Sequence, residues 1–176
     1  MKKLLDRIKL CMLPPPQRRS LPYECYWEDS ILSQEQERIF SNQWLGLGRS
    51  DRLQNPGEYE TFELCGQALV LIRNQDKELR LYANTCRHRG AKLLDGTGQC
   101  QAISCPFHGW TYSLDGNLKH AKTMAENSSF DFADNSLIEY KLKELQGFLF
   151  GFLGNTPTDL SNQLGNFSEL HQPCSM

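Results

Sequence analysis

Two short boxes of cysteine and histidine constrain this chain more than any other feature. The first reads Cys86-Arg87-His88-Arg89-Gly90-Ala91, and the second reads Cys105-Pro106-Phe107-His108-Gly109-Trp110. Together they give a C-x-H pattern, sixteen intervening residues and a C-x2-H pattern. Two thiols and two imidazoles on a matching pair of loops can clamp one metal centre.

The segments around the boxes read as short strands. Tyr59, Phe62 and Leu64 alternate up to Cys65-Gly66, residues 68–72 form a short apolar run, and residues 79–82 resume after the polar turn 74–77. Residues 110–118 predict a hairpin around Asp115-Gly116, and residues 137–145 and 148–153 predict two further strands joined near Gly147. Residues 121–135 read as a surface loop. Residues 33–44 predict a short helix, with Ser33 and Gln36 as a capping box and Phe40 and Trp44 on one face. Many short strands with turn signals between them predict a mainly β domain, a sandwich or small barrel.

The bulk numbers exclude several functions. The chain has 176 residues, a formal net charge of −2 and 23% charged residues, with no basic block that would mark a nucleic-acid interface. No apolar stretch approaches the ~18 residues of a spanning helix, so no membrane span is expected. Residues 1–22 read as an amphipathic or flexible arm, in which Asp6, Arg7 and Lys9 break the apolar run and Pro14-Pro15-Pro16 begins a linker. Seven cysteines are an odd number and lack the spacing of a secreted disulfide framework. Cys11, Cys25, Cys65, Cys100 and Cys174 read as reduced thiols, in keeping with a cytoplasmic, reducing compartment.

The donor set separates candidate metal centres. Tetrahedral zinc accepts two thiolates and two imidazoles and would make the module structural. A pair of irons with thiolates at one end and imidazoles at the other is chemically unequal. The added electron then localises on the histidine-bound iron, at a potential above that of an all-cysteine cluster. Gly90 and Gly109 allow backbone N–H groups to turn toward cluster sulfides, Pro106 stiffens the second loop, and Trp110 and Tyr112 shield the centre, Tyr112 with a hydroxyl to donate. Arg87 and Arg89 read equally well as a positive rim for an acidic electron donor and as solvated loop charges.

These boxes resemble the cluster-binding motifs of Rieske proteins. Residues 84–94 and 105–116 are most similar to the oxygenase α subunits of Rieske non-haem iron ring-hydroxylating oxygenases. Glu37-Arg38-Ile39-Phe40 before Trp44, Pro56-Gly57-Glu58-Tyr59 and Gly147-Phe148-Leu149-Phe150 support the likeness, which spans about residues 23–160. The resemblance implies a Rieske-type antiparallel β sandwich or small barrel, with a smaller cluster-binding subdomain of two loops and a short helix near its start. It implies a [2Fe–2S] cluster with Cys86 and Cys105 on one iron and His88 and His108 on the other. Respiratory-chain Rieske proteins carry a disulfide where this chain has Ala91 and Phe107, which points to the lower-potential type.

The resemblance further implies an oxidoreductase component of monooxygenase or dioxygenase type, relaying electrons from a reductase or ferredoxin to a mononuclear iron centre, within an oxygenase assembly such as a homotrimer. That second iron needs two histidines and a carboxylate. Outside the boxes the chain has only His120 and His171, neither in the D-x2-H-x4-H pattern. His120 reads as a hairpin-end surface residue, and Glu169 beside His171 makes no ligand signature. The catalytic domain with its iron is therefore expected outside this chain, with 161–176 as a tail. A free-standing Rieske ferredoxin is the alternative.

Overall fold

The computed structural model describes residues 2–122, 124 and 129–167. His171, Glu169 and Cys174 lie outside them. The chain divides after Ser41 into two compact units.

The first unit is helical. Helix α1 spans Lys2–Lys9, and α2 spans Asp29–Arg38. The helix expected at 33–44 thus starts earlier and stops sooner. Ser33 is not a cap: its hydroxyl donates to the Asp29 carbonyl one turn back at 2.8 Å. Trp44 is drawn into a strand instead, because long-range partners satisfy it. Its backbone N–H donates to Gln163 Oε1 at 2.8 Å, the Gln163 amide donates to its carbonyl at 2.7 Å, and its indole N–H donates to the Thr158 carbonyl at 2.7 Å.

The second unit is mainly β. Its strands are β1 (Trp44–Arg49), β2 (Glu58–Leu64), β3 (Gln67–Arg73), β4 (Leu79–Ala83), β5 (Thr97–Gln99), β6 (Ile103–Ser104), β7 (Thr111–Tyr112), β8 (Leu118–His120), β9 (Glu139–Leu145) and β10 (Phe148–Phe152). A five-residue helix α3 (Leu160–Leu164) follows, begun by Asp159, whose carboxylate accepts the Ser161 N–H at 3.0 Å. Seven strands form one antiparallel sheet in the order β1-β10-β9-β4-β3-β2-β5, and the other three form a small sheet β6-β7-β8. The register of β1 on β10 slips between Gly46 and Gly48. The β2–β3 and β9–β10 hairpins close on Cys65-Gly66 and Gln146-Gly147, all four residues at positive φ, as two-residue hairpin loops demand.

Alternation along β3 sorts the core in two. Val70 and Ile72, with Tyr82 from β4, face the small sheet and the two cysteine/histidine loops. Leu69, Leu71 and Leu81 face the other way and meet Leu149 of β10 with Leu45 and Leu47 of β1. Strand β10 lies three positions from β3, about 14 Å in a flat sheet, so this contact requires the sheet to curl on itself. Gly151 marks the tightest point: a Cβ there would meet Leu47 and Leu81 side-chain carbons at 2.9 Å. On the far face of β10, Phe150 and Phe152 form a third cluster with Trp44 and Leu160.

The stretch read as a surface loop is more than that. Phe130 and Phe132 are half-buried against the core that carries the two loops.

Candidate metal centre

The two boxes fold into loops with one hydrogen-bond skeleton. In the first, the Cys86 N–H donates to the Ala91 carbonyl at 2.8 Å, and the Gly90 N–H returns to the Cys86 carbonyl at 3.0 Å. In the second, the Cys105 N–H donates to the Trp110 carbonyl at 2.7 Å, and the Gly109 N–H returns to the Cys105 carbonyl at 3.1 Å. Each loop therefore closes five residues after its cysteine and turns on a glycine four residues after it, Gly90 at φ +75° and Gly109 at φ +69°. That conformation favours glycine. Both glycine N–H groups are engaged inside their loops, and the glycines shape the loops through φ.

The skeletons set Cys86 and Cys105 in one core cluster and bring the His88 and His108 rings together. Cys86 and Cys105 are both buried, at 3% and 4% exposure, and both are free thiols. The His88 and His108 rings meet edge to face, with centroids 4.9 Å apart and planes at 79°. His88 is half-buried, whereas His108 is exposed beside Phe107, which is 74% exposed.

Trp110 and Tyr112 floor the site. Trp110 is 2% exposed and stacks flat on His88, at 4.9 Å and 11°. The Tyr112 hydroxyl accepts the Arg87 N–H at 3.0 Å and lies 3.4 Å from the Cys86 sulfur, to which it can donate when Cys86 is a thiolate. Burial, aided by the contact with Cys86, holds that phenol proton on far above the ordinary range, so Tyr112 stays a donor. Partial burial, with Arg89 and His108 nearby, lowers the His88 pKa.

A buried asparagine that the sequence reading passed over fixes the first loop to the sheet. Asn84 Nδ2 donates to the Leu94 carbonyl at 2.8 Å, Asn84 Oδ1 accepts the Leu94 N–H at 2.9 Å, and the Asn84 N–H donates to Ala68 on β3 at 2.8 Å. Its signal was present only as a polar residue ending an apolar strand. Arg87 and Arg89 are exposed, and among the described residues neither side chain pairs with a carboxylate. His120 ends β8 on the surface, away from any ligand role.

Two thiols and two imidazoles are a donor set that a binuclear iron–sulfur centre takes as one pair of ligands at each end. Among the described residues His88 Nδ1 is buried with no partner. An imidazole nitrogen left unpartnered, in a loop whose cysteine is a buried free thiol, suits a ligand.

The family model for the Rieske [2Fe-2S] domain matches residues 43–141. The carnitine monooxygenase oxygenase subunit of Escherichia coli (strain K12) is 35% identical over 151 residues, covering 85% of this chain and 40% of that protein. The benzene 1,2-dioxygenase subunit alpha of Pseudomonas putida is 30% identical over 142 residues, 80% of this chain and 32% of its own length. Among solved structures, a quaternary ammonium Rieske monooxygenase studied for carnitine oxidation by gut microbiota and inter-subunit electron transfer superposes with a TM-score of 0.80. The identity is 35%, over 85% of this chain and 41% of that one. The chain thus spans about two fifths of the length of the carnitine monooxygenase subunits it matches.

Proposed function

The chain belongs to the Rieske [2Fe-2S] domain family, and on that premise we propose that Cys86, His88, Cys105 and His108 hold a [2Fe–2S] cluster that serves a Rieske-type oxygenase. The observation that carries this is the pair of loops with matching hydrogen-bond skeletons, each with a buried cysteine, whose two histidine rings meet.

When bound, the cluster supplies a one-electron carrier whose histidine-bound iron takes up the added charge. The protein does the rest. Cys86 and Cys105 bind as thiolates from the buried side. His88 and His108 bind as neutral imidazoles from the rim, and His108 presents its outer edge to solvent. Tyr112 donates to the Cys86 sulfur and tempers its negative charge. Trp110 excludes water from the His88 face.

The relatives are oxygenase subunits, of a monooxygenase and of a dioxygenase. That favours an oxygenase setting over a free-standing ferredoxin. The electron source is then a reductase or ferredoxin, and the acceptor is a mononuclear iron on an oxygenase subunit, reached across subunits as in the solved relative. Among the described residues no helix is long and apolar enough to cross a membrane. All six described cysteines are free, which favours the reducing cytoplasm.

The test is chemical and spectroscopic. Protein produced with ample iron and sulfide should be brown, should carry two irons and two acid-labile sulfides per chain, and when reduced should give the rhombic electron paramagnetic resonance (EPR) signal of a mixed Cys/His cluster. His108→Cys should shift that signal toward the all-cysteine type and lower the potential. Protein that holds zinc, or no metal, would refute the reading.

A further inference from the structure

His88 has a ring that no hydrogen bond steers. Its Nδ1 is buried without a partner among the described residues. The ring is nonetheless fixed, because Trp110 lies flat against it at 4.9 Å and 11° and His108 meets its edge at 4.9 Å. Trp110 is itself held by aromatic packing. Phe130 strikes it edge-on at 5.6 Å and 77°, and Phe132 braces Phe130 at 5.3 Å and 83°. Among the described residues the indole Nε1 is also buried with no acceptor, so packing and not hydrogen bonding holds the ring.

We propose that Trp110 is a positioning residue: its flat face fixes the plane of the His88 imidazole at the cluster, and Phe130 clamps the indole in place. The inference rests on the reading of His88 as a cluster ligand. A ligand imidazole free to rock about its bond to iron samples many orientations, each with its own electronic overlap. A ring pressed against a rigid plane samples few. The indole face also turns electron-rich density and a dry surface toward the site, both of which disfavour added negative charge. Without it, water reaches His88 and the reduced state gains stability.

The experiment compares cluster-loaded wild type with Trp110→Phe, Trp110→Leu and Phe130→Leu by EPR of the reduced state and by redox titration. Trp110→Leu should shift and broaden the g-values and raise the midpoint potential. Trp110→Phe keeps a flat face and should stay near wild type, and Phe130→Leu should broaden the lines with a smaller shift. If Trp110→Leu shows wild-type g-values and potential, the proposal is overturned, even when its melting temperature falls. A Trp110→Phe protein displaced as far as Trp110→Leu overturns it too. Should Trp110→Leu fail to hold iron, Phe130→Leu decides: broadened lines support the clamp, and unchanged lines refute it. Wild-type protein without iron and sulfide is a distinct result that removes the cluster reading itself, and the inference with it.

Discussion

The Tyr112 hydroxyl bridges the backbone of one residue and the side chain of its neighbour, accepting the Arg87 N–H at 3.0 Å and facing the Cys86 sulfur at 3.4 Å. Against a Cys86 thiolate, which has no proton, only the hydroxyl can donate across this contact. Tyr112→Phe removes that donor and should destabilise the more negative, reduced cluster. A differential loss of about 1 kcal/mol is reasonable for a hydrogen bond to a charged group, and it lowers a one-electron potential by roughly 40–50 mV. Redox titration of the loaded protein checks the sign and the size.

Asn84 spans the mouth of the first loop with two side-chain hydrogen bonds to Leu94 and ties it to β3 with a third, from its N–H to Ala68. Asn84→Leu has similar volume but strands the Leu94 N–H and carbonyl. The expected destabilisation is about 2–4 kcal/mol, with faster loss of iron to a chelator. Chemical denaturation and chelator kinetics measure both effects, and an unchanged off-rate would show that the clamp does not hold the loop.

Gly57 sits at φ +84°, and a Cβ there would stand 2.0 Å from the Cys100 carbonyl oxygen. The Gly57 carbonyl accepts the Cys100 N–H at 3.0 Å, which anchors the approach to the second loop. Gly57→Ala meets backbone, which cannot swing aside, so it should cost at least about 2 kcal/mol. Gly66→Ala meets nothing within 4 Å and bears only the positive-φ penalty, so it is the control in a thermal melt.

Arg87 and Arg89 project from the first loop without carboxylate partners among the described residues. If they steer an acidic electron donor, Arg87→Glu with Arg89→Glu should slow reduction by ~10-fold or more at low salt and flatten or invert its salt dependence. Stopped-flow reduction across ionic strengths reads this directly. An unaltered rate and salt profile would leave the two arginines as solvated charges.

Glu58 accepts from the Asn55 side chain and from the Asn55 and Gln54 backbone N–H groups, and those bonds hold its carboxyl below the ordinary carboxylate range. A depressed folded-state pKa means that its stabilising effect is complete above the unfolded value of 4.5 and disappears as pH falls through the lower folded value. Glu58→Gln should therefore lower the melting temperature at neutral pH and weaken the decline on acidification. Melts taken from about pH 6 down to about pH 3 supply the comparison.

The strands that flank the boxes were legible because their pattern is local. Tyr59, Phe62 and Leu64, and the run from Ala68 to Ile72, announce themselves within a few residues, as do the Cys65-Gly66 and Gly147 turns. The box spacing likewise singles out Cys86, His88, Cys105 and His108 from the sequence alone. Strand β1 was not legible, since Trp44 is a strand residue only by virtue of Phe152 opposite it and Gln163 beyond. The role of Asn84 and the paired loop skeleton are also long-range or backbone properties. Phe130 and Phe132 looked like loop residues because nothing in their own segment reveals Trp110 beneath them.

The large sheet never closes, so both of its rims are open to other strands, and both are poor templates for them. At one rim the slip between Gly46 and Gly48 throws the outer N–H and C=O groups of β1 out of step. At the other, β5 offers three exposed residues with a glycine in the middle. A foreign strand would meet a broken ladder at one rim and a three-residue strand at the other, features that disfavour strand addition whether or not the metal site is filled.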